Sequence, residues 1–476
     1  LVDYFNGVDA ARRISGRLAG WARTLEARTR PQDPETETAL QKRWAELPER
    51  VRTPAQLLGR RSSGCEGTHG VFPRCDLACT PCYHSREANQ VRTDAAHTLT
   101  EIDRQMAYLR SQRGVDQHAQ LIGGEVTLLG PEHHAQALFA MQRHRRKPMS
   151  MTHGDFDYQY LQKLALGADG TRRFDFLRFA GHFDSLMLGR RGILRPRREA
   201  DLHPFRRRFV EHFERLEREH GVRFDLAHNM TVTPRNLDQV AEVVRFCSKL
   251  RFGMISFQPA AYVGNPKRWR EDFHAVTIDS VWQEIERGIG ARIPWQHVQM
   301  GDPRCNRSCH GVIAAGHWTP VLDDRDPRDL RVRNLFLERF KSMDFERPAW
   351  VVAVAAARVI ARNPHVVPAA AGWAWRLAAR AGWRRLLHGK PRVLTFVVHA
   401  FMDTEVVRPA WQAICNGERA GDPAVHAAQE RLEACSYAMA HPGSDQLVPA
   451  CVQHAVLDPS EIIALRRLLP VAPSTA

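Results

Sequence analysis

Between Val71 and about Gly290, short apolar runs alternate with amphipathic segments of roughly 10–18 residues. Few folds accommodate that alternation. Strands are expected at 70–74, 119–123, 148–153, 174–183, 223–232 and 253–260, with helices at 98–112, 132–144, 158–166, 204–220, 236–250 and 277–289. Parallel strands joined by right-handed helical crossovers curl in one direction. Six such units predict an α/β fold, a partial (βα)6 TIM-type barrel, short of the eight units that close a ring. Residues 1–69 read as a helical N-terminal cap, with Leu18, Trp21 and Leu25 at helical spacing, breaks at Pro31 and Pro34, and a second helix through 40–47. Residues 70–290 form the barrel, and 291–476 an α-rich, cysteine-bearing C-terminal extension.

Parallel barrels carry their chemistry at the carboxyl ends of the strands. Three chemically pointed stretches fall there. Cys75-Asp-Leu-Ala-Cys79-Thr-Pro-Cys82 follows the first expected strand, Gly123-Gly124-Glu125 ends the second, and His153-Gly154-Asp155 follows the third. Thiolates are the soft ligands that iron–sulfur clusters favour. Three of them can hold three irons of a four-iron cube and leave the fourth open. A zinc site would usually present a closed set of four ligands, and chance clustering of cysteines is the bland alternative.

The pairing of C-x3-C-x2-C with a strand-ending Gly-Gly-Glu resembles the radical S-adenosylmethionine (SAM) enzymes. The resemblance implies a [4Fe–4S] cluster on Cys75, Cys79 and Cys82 whose open iron chelates SAM. It places Gly123, Gly124, Glu125, Tyr83 and Gln258 among the cofactor contacts. One departure is Pro81, standing where an aromatic usually precedes the third cysteine, with Tyr83 after it. The implied reaction is reductive cleavage of SAM to methionine and a 5′-deoxyadenosyl radical, which takes hydrogen from an unactivated C–H bond. Side chains then position substrate while the cofactor supplies the reactive species. This accounts for the lack of a convincing Ser/His/Asp or paired-carboxylate set.

Shorter phrases resemble one subgroup, the archaeal tetraether lipid synthases and related enzymes assigned to methylation of a pterin precursor. They include Leu177–Phe183, Gly189–Gly192, Asn229–Asn236, Ile255–Pro259 and the segment from Cys435 to Cys451. A lipid or other apolar substrate modified at an sp3 carbon is therefore expected. The alternatives are methylation of a pterin-like heterocycle, a peptide-modifying maturase, and a non-enzymatic iron–sulfur protein that binds RNA or transfers electrons. The SPASM spacing of peptide-modifying relatives is missing. A second [4Fe–4S] cluster is expected from Cys305, Cys309, Cys435 and Cys451, with Cys65 and Cys415 in reserve, and Cys247 reads as a buried helical thiol.

The remaining composition bounds partners. Ten cysteines in 476 residues are too sparse for a disulfide framework and fit a reducing cytoplasm. Leu1–Trp21 is interrupted by Arg12, Arg13 and Arg17, so it does not read as a signal peptide. No stretch reaches the ~18 uncharged apolar residues of a membrane span. A net charge of +15 invites nucleic acid, but no interleaved aromatic–basic motif accompanies it, and none is expected to bind. A reductant such as flavodoxin or ferredoxin is implied. Trp350–Trp383, rich in Ala, Trp and Arg, suggests peripheral contact with the inner membrane face, or a helical pair covering the barrel.

Overall fold

The computed structural model describes residues 19–470 except positions 63, 85 and 265. The stretch before residue 19, with Leu18 and most of the segment weighed as a signal peptide, lies outside the described residues. Helices at 19–28 and Pro34–Glu46 precede an eleven-stranded sheet. Its strands are β1 (Cys65–Gly67), β2 (Gln117–Leu121), β3 (Arg146–Thr152), β4 (Phe176–His182), β5 (Arg223–Val232), β6 (Met254–Pro259), β7 (Asn306–Ala314), β8 (His317–Pro320), β9 (Arg392–His399), β10 (Tyr437–His441) and β11 (Gln446–Pro449). Their spatial order is β8-β7-β9-β6-β5-β4-β3-β2-β1-β10-β11.

The parallel run is longer than the six strands read from the sequence. β9 adds in parallel to β6, and β10 adds in parallel to β1. Eight consecutive parallel strands result, with the seventh and eighth in chain order at the two ends of the run. Antiparallel β7 and β11 flank those ends, so the ring is split between β9 and β10. Across the split, Asn306 Nδ2 donates to Ser436 Oγ at 2.9 Å. The C-terminal stretch thus builds barrel wall.

The first strand also lies earlier than 70–74. Val71-Phe72-Pro73 is apolar and mostly buried, but Pro73 lacks an N–H, and the Phe72 and Arg74 carbonyls accept from Gly124 N and Glu125 N at 2.7 and 2.8 Å. The true strand, Cys65-Glu66-Gly67, is disguised by a carboxylate. Glu66 is buried against Arg146, 3.2 Å away on β3.

Outside the sheet, the helix His203–His220 shows how an outer element is fixed. Pro204 enters its first turn, Phe209, Val210, Phe213 and Leu216 form its buried stripe, and Gly221 at φ +67° ends it. Phe213 packs on Phe179 of β4 and on Phe209, with ring centroids 5.0 and 5.3 Å apart. Each such ring, fully buried, contributes about 1.5–3 kcal/mol. The same helix buries Arg206 against Glu199 at 2.6 Å, and Arg206 also donates to the Phe183 carbonyl and His228 Nε2.

Beyond the barrel, helices Ala349–Arg362, Val366–Ala381 and Trp383–His388 carry the Trp-rich segment. It starts at the amino ends of the parallel strands, where Glu346 meets His118, Lys147 and Arg178 at 3.2, 2.9 and 2.8 Å. That is the end opposite the cysteine loop, not the barrel mouth. Arg376 and Arg380, which would pair with lipid phosphate if they faced outward, instead reach the buried Asp329 at 2.7 and 2.8 Å. No helix among the described residues is long and apolar enough to cross a membrane.

Removing one partner of a buried, hydrogen-bonded ion pair leaves a charge without compensation. Arg206→Ala is expected to lower unfolding stability by about 3–5 kcal/mol in urea titrations.

Candidate functional site

The cysteine loop lies across the carboxyl ends of β1 and β2. Gly123 and Gly124 make this possible. A Cβ on Gly124 would stand 2.0 Å from the Arg74 carbonyl oxygen, and one on Gly123 would meet the Phe72 ring and carbonyl at 2.7 Å. The glycine pair is therefore demanded by backbone lying directly upon it.

The loop is held along its length. Cys75 N donates to Asn89 Oδ1 at 3.0 Å, Ala78–Cys79 pairs antiparallel with Met187–Leu188, and Arg268 donates to the Cys79 carbonyl at 3.2 Å. Gly264, at φ +82°, lets its loop pass where a Cβ would strike the Cys82 and Tyr83 carbonyls at 2.4 and 2.7 Å.

Glu125 is buried at the mouth. One oxygen accepts from Thr127 N, Thr127 Oγ1 and Thr152 Oγ1 at 3.1, 2.7 and 2.6 Å, and the other from His153 N at 2.9 Å. It ties the ends of β2 and β3 together. His153, also buried, donates from Nε2 to Asp76 Oδ1 at 2.8 Å while Nδ1 accepts from Asp155 N. The hydrogen bond from His153 holds the Asp76 carboxyl below its ordinary value.

Cys75, Cys79, Cys82, Gly123, Gly124, Glu125, Tyr83 and Gln258 all line one outer chamber of about 1240 Å³, open to solvent. Cys79 hydrogen-bonds Cys82, which lowers the Cys82 pKa and raises that of Cys79, while burial pushes the Cys75 thiol up to about 12. The donor set suits a cluster better than one ion. Cys75, Asp76 and His153 do converge within 4.8 Å of one another, whereas the three cysteines do not form such a set. A four-iron cube takes one thiolate per iron, so its ligands need not meet at a point.

A second, inner chamber lies within the barrel. Tyr83, Ile122, Met151, His182, Gln258 and Phe401 line both chambers and form the neck between them. Strand alternation builds its wall: Met149 and Met151 on β3, Met254, Ser256 and Gln258 on β6, Thr395, Val397 and His399 on β9. In register, Asn229, Ser256 and Val397 stand side by side, and Ser308 pairs with Val397. The Ser256 hydroxyl is buried without a hydrogen-bond partner.

Cys65, Cys305, Cys435 and Cys451 all line this chamber at the split in the ring. Of the set expected for a second cluster, Cys309 is the exception. It sits on β7 among the core hydrophobics, on the face opposite inward-pointing Asn306, Ser308 and His310. A C-x3-C spacing suggested a shared site, but strand pleating turns Cys309 away, while Cys305 stands on the turn before β7. Cys65, held in reserve, takes its place. Cys415 is exposed at the end of helix Thr404–Asn416 and lines neither chamber, and Cys247 is core. Burial pushes the Cys65 and Cys305 thiols up to about 11, although Arg431 Nε lies 3.1 Å from Cys305 Sγ. Sequence reading also missed Asn89, Arg268, Arg431 and His454, whose ring lies 4.2 Å from that of Tyr83. No local pattern marks them. The inward residues of β5 and β6, in contrast, are readable from alternation alone.

Gly124→Ala is expected to displace the cysteine loop while leaving the barrel folded. Iron bound per chain after anaerobic reconstitution should fall, with the far-ultraviolet dichroism unchanged. Glu125→Ala removes charge-assisted hydrogen bonds worth about 1.5–3 kcal/mol each when buried, and a lowered melting temperature will report it.

No family model and no curated protein matches the chain. Among solved structures, 41% of the chain is similar to 39% of Streptococcus suis SuiB bound to precursor peptide SuiA, at 18% identity and a TM-score of 0.28. A further 42% match covers 50% of native anSMEcpe with bound AdoMet and Cp18Cys peptide, at 14% identity and a TM-score of 0.28. The chain thus spans half or less of the length of these neighbours.

Proposed function

We propose that this chain is a radical SAM enzyme. The observation that carries the reading is the pinned loop presenting Cys75, Cys79 and Cys82 to the outer chamber, seated on Gly123-Gly124 beside Glu125. Those thiols would hold a [4Fe–4S] cluster, which when bound with SAM supplies reductive cleavage of its carbon–sulfur bond and thus a carbon radical. Glu125 and the Gly123-Gly124 backbone would receive the amino group of SAM, and Tyr83 and Gln258 stand at the neck toward the inner chamber. Arg268 and Asn89 keep the loop in place, and the neck restricts what meets the reactive carbon. Cys65, Cys305, Cys435 and Cys451 would hold a second cluster at the far side of the inner chamber, with Arg431 stabilising thiolate at Cys305.

The inner chamber supports a substrate that joins an apolar body to hydrogen-bonding groups. Met149, Met151, Met254 and Met300 offer soft, adaptable contact. Asn229, Ser256, Asn306, Ser308, His310 and His399 offer polar contact, and no Asp or Glu among the described residues lines the chamber. A plain hydrocarbon chain would leave the Ser256 hydroxyl desolvated and unpaired. A headgroup-bearing lipid satisfies both faces. A pterin-like heterocycle is the second reading, favoured by the same unpaired hydroxyl.

The test is release of 5′-deoxyadenosine from SAM by anaerobically reconstituted protein with a reductant. Changing Cys75, Cys79 and Cys82 together to Ala should abolish it, and continued reductive cleavage would sink the proposal. That triple variant should still bind iron and sulfide. Adding Cys65→Ala should remove the remaining iron, whereas adding Cys309→Ala should not.

A further inference from the structure

The segment from Arg347 to Met402 contains no Asp or Glu, in a chain that has 53 of them among 476 residues. It carries nine cations: Arg347, Arg358, Arg362, Arg376, Arg380, Arg384, Arg385, Lys390 and Arg392. Arg376 and Arg380 are spent on Asp329. Arg362, Arg384, Arg385 and Lys390 are exposed and form no ion pair among the described residues.

The helices of this segment turn apolar residues outward. Helix Ala349–Arg362 buries Val351, Ala355 and Val359, yet its other side exposes Trp350 and Val354 rather than polar residues. Helix Val366–Ala381 exposes Val367 and Trp375, the latter 66% exposed, and helix Trp383–His388 exposes Trp383 and Leu387, the latter 77% exposed. The Trp375 and Trp383 rings lie 5.0 Å apart and form one outward aromatic patch. A helix apolar on both sides is not a solvated cover for a barrel.

We infer that this helical face docks on an anionic lipid surface. Two observations select that occupant. The exposed tryptophans and branched aliphatics match the depth at which amphipathic helices lie in the headgroup–acyl boundary. The unpaired cations beside them match anionic headgroups, to which each basic residue near the surface adds attraction. A second copy of this chain would bring the same uncompensated positive charge face to face with itself. The helices, at 14 and 16 residues, are too short to span and lie along the surface instead. The proposal does not depend on the chemistry assigned to the cysteine loop. It orients the molecule, because the patch grows from the amino ends of the strands and leaves the cysteine loop on the far side.

The test is co-sedimentation of the full, cluster-reconstituted chain with phosphatidylcholine vesicles, with and without phosphatidylglycerol. Binding is expected to the anionic vesicles and should weaken steeply as salt rises. Arg384→Glu with Arg385→Glu should reduce partitioning on the order of tenfold or more. Trp375→Glu with Trp383→Glu should reduce it while leaving SAM cleavage without substrate unchanged. Three outcomes overturn the proposal. They are protein remaining in the supernatant with anionic vesicles at low salt, equal binding to both vesicle types, and a dimer in sedimentation velocity that the tryptophan variant dissolves.

Discussion

The approach of the Arg74 carbonyl to Gly124 governs the geometry of the site. At a separation that leaves no room for a Cβ, the cysteine loop and the end of β2 become one surface. Two consecutive N–H groups, from Gly124 and Glu125, bond the loop backbone there. The direction in which three thiols point is consequently fixed by main chain, which is stiffer than any side-chain support. Glu125 carries the tie one strand further by gripping Thr152 and His153. Buried carboxylates are costly unless hydrogen-bonded, and this one accepts four bonds.

From that rigid mouth the barrel opens inward. The two chambers meet at a neck whose residues come from the cysteine loop, from three strands, from the residue after β2 and from the C-terminal stretch. A reactive carbon generated on one side would encounter only what the neck admits. The four inner cysteines sit where the ring of strands is split, drawn from β1, from the turn before β7, and from both sides of β10 and β11. A group bound there would bridge edges that backbone pairing does not join.

Much of this was legible in the sequence, for identifiable reasons. The outer helices and β2 to β6 follow apolar periodicity, and the cysteine loop and Gly-Gly-Glu follow from spacing. Four things were not. β1 hides because the charge of Glu66 is countered by Arg146, some eighty residues away, and no local rule reports a distant partner. β9 and β10 lie far from the six repeats in sequence, so their place beside β6 and β1 appears only in the folded chain. Cys309 faces the core and Cys65 the inner chamber because strand pleating, not spacing, decides which face a thiol occupies. The inward direction of Arg376 and Arg380 was likewise set by Asp329, one buried carboxylate on another helix.

The split ring also sets a timetable. β1 is completed on one side by β2 within about fifty residues, but its other edge waits for Tyr437–His441. During synthesis that edge stays unpaired until roughly 370 further residues have emerged. Open strand edges invite wrong partners, and long-range pairing is slow to form. The brevity of β1, at three residues, limits what such an edge can capture meanwhile. The inner chamber therefore closes late, once β10 and β11 have been made. Any cluster or substrate it holds must enter a barrel whose opposite wall, carrying the cysteine loop, is already built.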